Sequence, residues 1–118
     1  MGAPVEFFEV ISTNPDRIRD FYSQLFDWTT ADTAQPGYWL ADTGAGSQAI
    51  GGGIGSTQPG EQTGRTTIYM RVDDLQAYLD KAERLGGKTL VPPTPLPGDF
   101  GSFAMFTDPD GQPVGLWT

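Results

Sequence analysis

Glu9 stands in the run Val5 to Ile11 (Val-Glu-Phe-Phe-Glu-Val-Ile), whose alternation puts Val5, Phe7 and Glu9 on one face and Glu6, Phe8 and Val10 on the other. A second run, Thr66 to Val72, places Thr67, Tyr69 and Arg71 together in the same way, and a third, Pro113 to Trp117, groups Pro113, Gly115 and Trp117. A carboxylate, a phenol, a hydroxyl and a guanidinium among aromatic rings suit two kinds of chemistry. Ring faces hold a planar or cationic organic molecule, and a carboxylate raised toward neutral pKa by burial or a like-charged neighbour serves as a general base. Each has a plainer counterpart: strand aromatics pack as core, and Glu9 and Arg71 neutralise one another. The neighbours Tyr38 and Trp39 add two rings, of which alternation turns one inward.

What is missing narrows the field further. The chain has no His and no Cys, which excludes a disulfide, a thiol nucleophile, a Cys or His zinc site and a Ser-His-Asp triad. Gly51-Gly52-Gly53 is no phosphate loop, because no helix start or Lys-Ser/Thr follows; such glycines let a strand bend or leave room above it. Asp108-Pro109-Asp110-Gly111 is a turn set by its Pro and Gly, and two acids there make no calcium loop.

The elements that position these residues are short and well punctuated. Val5 to Ile11 reads as a strand. Asn14 then caps a helix with Pro15 at its first position, whose apolar face is Ile18, Phe21, Tyr22, Leu25 and Phe26. Gly37 to Asp42 and Gln48 to Ile54 follow as strand candidates, and a Gly, Thr, Gln, Ser and Pro stretch, about 55–65, reads as a linker. Thr66 to Val72 is again a strand, and Leu75, Tyr78, Leu79, Ala82 and Leu85 form a second amphipathic helix closed by Gly86-Gly87. Lys88 to Val91, Ser102 to Thr107 and Pro113 to Trp117 complete the second half. Pro92 to Gly98 with Asp99-Phe100-Gly101 is either a semi-rigid lip carrying Phe100 at its tip or a stiff loop. Strand and helix recur at an offset of about sixty residues, the mark of a duplicated unit.

At 118 residues the chain is one domain, large enough to hold a core without staples. Seven Lys plus Arg against fifteen Asp plus Glu give a net charge of −8, with a pI near 4.1. This disfavours nucleic acid and anionic membranes as partners and favours a cationic or neutral small molecule. No apolar run reaches the length of a membrane span and the first residues do not form an export signal, so a cytoplasmic protein is expected.

Phe8-Glu9-Val10, Phe21-Tyr22-Ser23-Gln24-Leu25-Phe26-Asp27-Trp28, Val72-Asp73-Asp74-Leu75, Leu85-Gly86-Gly87-Lys88 and Phe106-Thr107-Asp108-Pro109-Asp110-Gly111 together resemble the vicinal oxygen chelate superfamily, which includes glyoxalases, extradiol dioxygenases and bleomycin-resistance proteins. The resemblance implies an α+β fold of two βαβββ modules, residues 5–56 and 66–118, with curled mixed sheets around a cavity, and a homodimer. It turns Phe7, Glu9, Thr67, Tyr69, Arg71, Gly115 and Trp117 toward that cavity, joined by Tyr38, Trp39 and Phe100 as ligand contacts. It also implies metal ligands at positions that here are Phe7, Thr67 and Gly115, with the fourth falling in Ile50 to Ile54, where there is no carboxylate. The expectation is therefore no metal and no cofactor, and a module that binds or sequesters a small aromatic or cationic molecule in the bleomycin-resistance manner. The alternatives are a metal-independent or atypical-metal lyase or isomerase acting on a small carbonyl compound, with Glu9 as the catalytic candidate, and an interaction module with a collapsed cavity.

Overall fold

The computed structural model describes residues 2–118. The chain divides into two compact units, one of Phe7–Thr66 and one of the residues up to Glu6 with Thr67–Thr118. The N-terminal residues join the second unit through a backbone bond, Arg71 N donating to the carbonyl of Pro4 at 2.9 Å.

In the first unit β1 (Val5–Ser12, of which the first two residues lie in the second unit) leads to α1 (Pro15–Phe26), then β2 (Thr29–Asp32), β3 (Trp39–Asp42) and β4 (Gly51–Ser56). Asn14 caps α1 by accepting from Arg17 N at 3.3 Å, Pro15 opens the helix, and Asp27 ends it in the left-handed conformation at φ 57°. The sheet runs β2-β3-β4-β1. β1 and β4 are parallel and the other pairs antiparallel. Register follows the side chains: Glu9 lies opposite Gly53 and Val10 opposite Ile54. Val10, Ala41 and Ile54 form the core under the helix, with Phe8, Ile18, Tyr22, Trp28 and Trp39 packed against it.

The second unit repeats this connectivity with β5 (Arg65–Arg71, of which the first two residues lie in the first unit), α2 (Leu75–Arg84), β6 (Lys88–Pro95), β7 (Ser102–Thr107) and β8 (Pro113–Trp117). Its order is β5-β8-β7-β6, with β5 and β8 parallel. Asp74 caps α2 by accepting from Ala77 N at 3.0 Å. Val72, Leu75, Leu79, Ala104 and Leu116 are its core, flanked by Met70 and Phe106. The α+β class and the recurring strand-helix-strand plan are thus present in both units.

Three local differences from the sequence reading have physical causes. Thr29–Asp32 is a strand although its Thr-Thr-Ala-Asp has no apolar alternation; it pairs with β3 at the outer end of the unit's sheet, where one ladder suffices. Pro92 to Pro95 are strand and not loop. β6 is the outermost strand of its unit, where missing N–H groups are tolerated, and register shifts between Thr89 and Val91 and between Val91 and Thr94 absorb them. The stretch expected as linker starts late, since Gly55 and Ser56 still belong to β4. Among the described residues no helix is long and apolar enough to cross a membrane.

Candidate functional site

Period-2 alternation on β1 separates two environments in the first unit. Phe8 and Val10 pack under α1, so Phe7 and Glu9, both half-buried, lie on the other face. Glu9 accepts a hydrogen bond at 2.8 Å from the phenol of Tyr38, which reaches it from the segment before β3. The Tyr38 ring gets there by lying across β4, because a Cβ built at Gly53 or Gly55 would fall within that ring. Gly52, facing the helix, is bare for the same reason and lies under the ring of Phe8. The glycine run of β4 therefore makes room for an aromatic ring on each of its faces.

Trp39 does not join Tyr38. It pairs with Ile54, whose side chain belongs to the core under α1, and the guanidinium of Arg19 lies 4.3 Å from its ring centroid. Alternation sends the two neighbours to opposite faces, and the structure assigns the helix face to Trp39, which leaves the candidate set.

In the second unit Met70 and Val72 pack with α2, which places Thr67, Tyr69 and Arg71 on the opposite face of β5. Tyr69 pairs with Gly115, and its ring occupies the space that a Cβ at Gly115 would need. Its phenol donates to the thioether of Met105 at 3.8 Å; Met105 is a site neighbour that sequence reasoning missed, although its pairing with Gly115 puts it on this face. Arg71 holds its guanidinium 4.5 Å from the centroid of Trp117. Trp117 is fixed in turn by its indole N–H, which donates to the carbonyl of Phe100 at 2.6 Å. Phe100 thus meets this cluster through its backbone, while its ring is exposed. Thr67 is 2% exposed, and its hydroxyl has no hydrogen-bond partner among the described residues. Within their own units, then, Glu9 has Tyr38 and Arg71 has Trp117.

A model of the Glyoxalase/Bleomycin resistance protein/Dioxygenase superfamily matches residues 5–116. The chain belongs to this superfamily. The mycobacterial protein named "Putative glyoxylase CFP32", from Mycobacterium tuberculosis and Mycobacterium bovis, is 32% identical over 98% of the chain and 45% of its own length. The chain thus spans about half the length of that relative. A variant of 4-hydroxymandelate synthase from Streptomyces coelicolor superposes with a TM-score of 0.69 at 13% identity, over 97% of this chain and 38% of that one. The Mn(II)-bound glyoxalase of Novosphingobium aromaticivorans gives 0.67 at 16% identity, over 98% and 38%. These likenesses share the superfamily fold.

The superfamily resemblance implies a metal at Phe7, Thr67, Gly115 and the β4 segment, and the residues there do not fit one. Phe7 and Gly115 offer no side-chain donor, Thr67 offers one neutral hydroxyl, and the ring of Tyr69 stands where a side chain at 115 would project. Among the described residues no three His, Cys, Asp or Glu side chains gather in a way that could hold a metal ion. The chemistry available is that of ring faces, one guanidinium, one carboxylate and hydroxyl groups.

Proposed function

We propose that the protein binds a small planar aromatic or cationic organic molecule, with the second unit's face of Thr67, Tyr69, Arg71 and Trp117 as its contact surface; the first unit's face of Phe7, Glu9 and Tyr38 is a candidate contact surface in its own right. The observation that carries this reading is the replacement of a donor at position 115 by the ring of Tyr69. The hydroxyl of Thr67, buried and without a hydrogen-bond partner among the described residues, supports it: such a group costs about 1–3 kcal/mol, which a polar atom of a bound molecule recovers. The net charge of −8 favours a cation over an anion. We take the working form to be a cytoplasmic homodimer, the dimer being what the superfamily resemblance implies.

The second reading is a lyase or isomerase acting on a small carbonyl compound, with Glu9 as base. The hydrogen bond from Tyr38 favours it by fixing one carboxylate oxygen in place, as does the relative's name. A thermal-shift screen of purified protein separates the two, using planar aromatic cations, methylglyoxal with glutathione, and divalent metals with and without chelator. A binder present at a hundredfold excess over Kd adds about 2.7 kcal/mol to stability. The expected result is a shift with an aromatic or cationic compound that is indifferent to chelator. A shift only with metal overturns the first reading. Turnover of the carbonyl compound, lost in Glu9→Gln at unchanged stability, establishes the second, whereas equal losses of turnover and stability remove Glu9 from the role of base.

A further inference from the structure

The junction after the helix is built alike in the two units. A residue in the left-handed conformation, Asp27 at φ 57° or Gly86 at φ 106°, is followed by one residue and then by the first residue of the next strand, Thr29 or Lys88. That intervening residue is Trp28 in the first unit and Gly87 in the second. The Trp28 ring fills the angle between helix and sheet, with its centroid 5.2 Å from that of Phe8, 5.4 Å from Tyr22 and 5.5 Å from Phe26. In the second unit the corresponding place is a groove of about 380 Å³, lined by Met70, Tyr78, Leu85, Phe106 and Leu116 among others. Nothing at position 87 can close it, because a Cβ there would stand 2.6 Å from the carbonyl oxygen of Thr107. Leu85, in the lining, is 70% exposed.

The charged residues of the lining are one cation, Lys81, and one anion, Asp108. Asp108 is held by its own turn, its Oδ1 accepting from Asp110 N at 2.9 Å and Gln112 N at 3.0 Å. We propose that this groove is a second binding site, distinct from the face of Tyr69, for an aromatic zwitterion of the class of an aromatic amino acid. The ring takes the place that Trp28 holds in the first unit, the ligand carboxylate meets the ammonium of Lys81, and the ligand ammonium meets the carboxylate of Asp108. Ring burial and charge complementarity both follow from the lining, and neither depends on the site proposed above.

Of the three methionines two report on the two sites separately, Met70 in the groove and Met105 beside Tyr69. Protein carrying ¹³C-methyl methionine is titrated with tryptophan and, in parallel, with indole. Saturable movement of the Met70 signal without the Met105 signal is expected, with indole binding at least about fivefold more weakly for want of the charged groups. Ala82→Phe, which puts a ring into the lining from α2, should weaken binding about tenfold or more, and Lys81→Gln, an exposed helix position that leaves the fold intact, severalfold. The proposal is overturned if Met70 stays still up to about 10 mM tryptophan, if Met105 moves in its place, if indole binds as tightly as tryptophan, or if folded Lys81→Gln binds like the wild type. It is equally overturned if the Met70 signal shifts with protein concentration alone, which would seat a second copy of the chain in the groove.

Discussion

A glycine can be read by what lies on it. Tyr69 rests on Gly115 and Tyr38 on Gly53 and Gly55, so that each tyrosine is placed by the lack of a side chain on the strand beneath it. Gly115→Ala puts a methyl group inside the Tyr69 ring, which is buried and cannot swing aside without losing its contact with Met105. Overpacking of this kind costs about 1–3 kcal/mol. Gly51, in the same strand as Gly53, has open space where its Cβ would be, and Gly51→Ala should change stability by no more than about 0.5 kcal/mol. Urea denaturation of the two variants checks the difference; equal costs would mean that the tyrosine is not held by the glycine beneath it. Under the proposed function Gly115→Ala should also weaken ligand binding, because the displaced ring belongs to the contact face.

At the scale of elements, capping decides how firmly each helix starts. Asp74 accepts from Ala77 N at 3.0 Å while Asn14 makes a longer bond, 3.3 Å, to Arg17 N. Asp74 also places a negative charge at the positive end of the α2 dipole, which an asparagine cannot do. Asp74→Ala should therefore cost about 1 kcal/mol and Asn14→Ala less, as urea midpoints would show; the reverse order would assign the cap strength to something other than these bonds. Both caps stand in the sequence as an acceptor side chain ahead of an amphipathic run, and Asn14-Pro15 marks its helix start more plainly than Asp73-Asp74 does. Alternation on β1 likewise separates Phe8 and Val10 from Phe7 and Glu9, while which of the two faces lies under the helix is what the superfamily resemblance implies. Thr29–Asp32 is not legible because it has no apolar period, and of β6 only Lys88 to Val91 is, since the prolines beyond it speak against a strand until its outer position in the sheet is known. The choice between Tyr38 and Trp39 stays open in the sequence for a related reason. Whether Tyr38 or Trp39 turns toward Glu9 depends on register against Ile54, and a strand of mostly glycine carries little pattern from which to read register. The Tyr38–Glu9 bond spans twenty-nine residues and has no local signal at all.

Across the whole molecule the dominant quantity is charge. Fifteen carboxylate side chains against seven cations leave −8 on 118 residues, and such an excess opposes the compact state through self-repulsion while drawing cations toward the surface. Salt acts on both effects. The Debye length falls from about 30 Å at 0.01 M to about 8 Å at 0.15 M, so added sodium chloride should raise the urea midpoint over that range and do little beyond it. Urea is the denaturant to use because it brings no ions of its own. The same screening should weaken the binding of a planar aromatic cation and leave an uncharged analogue of equal size unaffected, since ring burial does not pass through the solvent field. Titration of both compounds at the two salt concentrations measures this directly. If the cation and its neutral analogue weaken together, the acidic surplus plays no part in recognition, and the ring faces of Tyr69 and Trp117 must carry the affinity without help from the net charge.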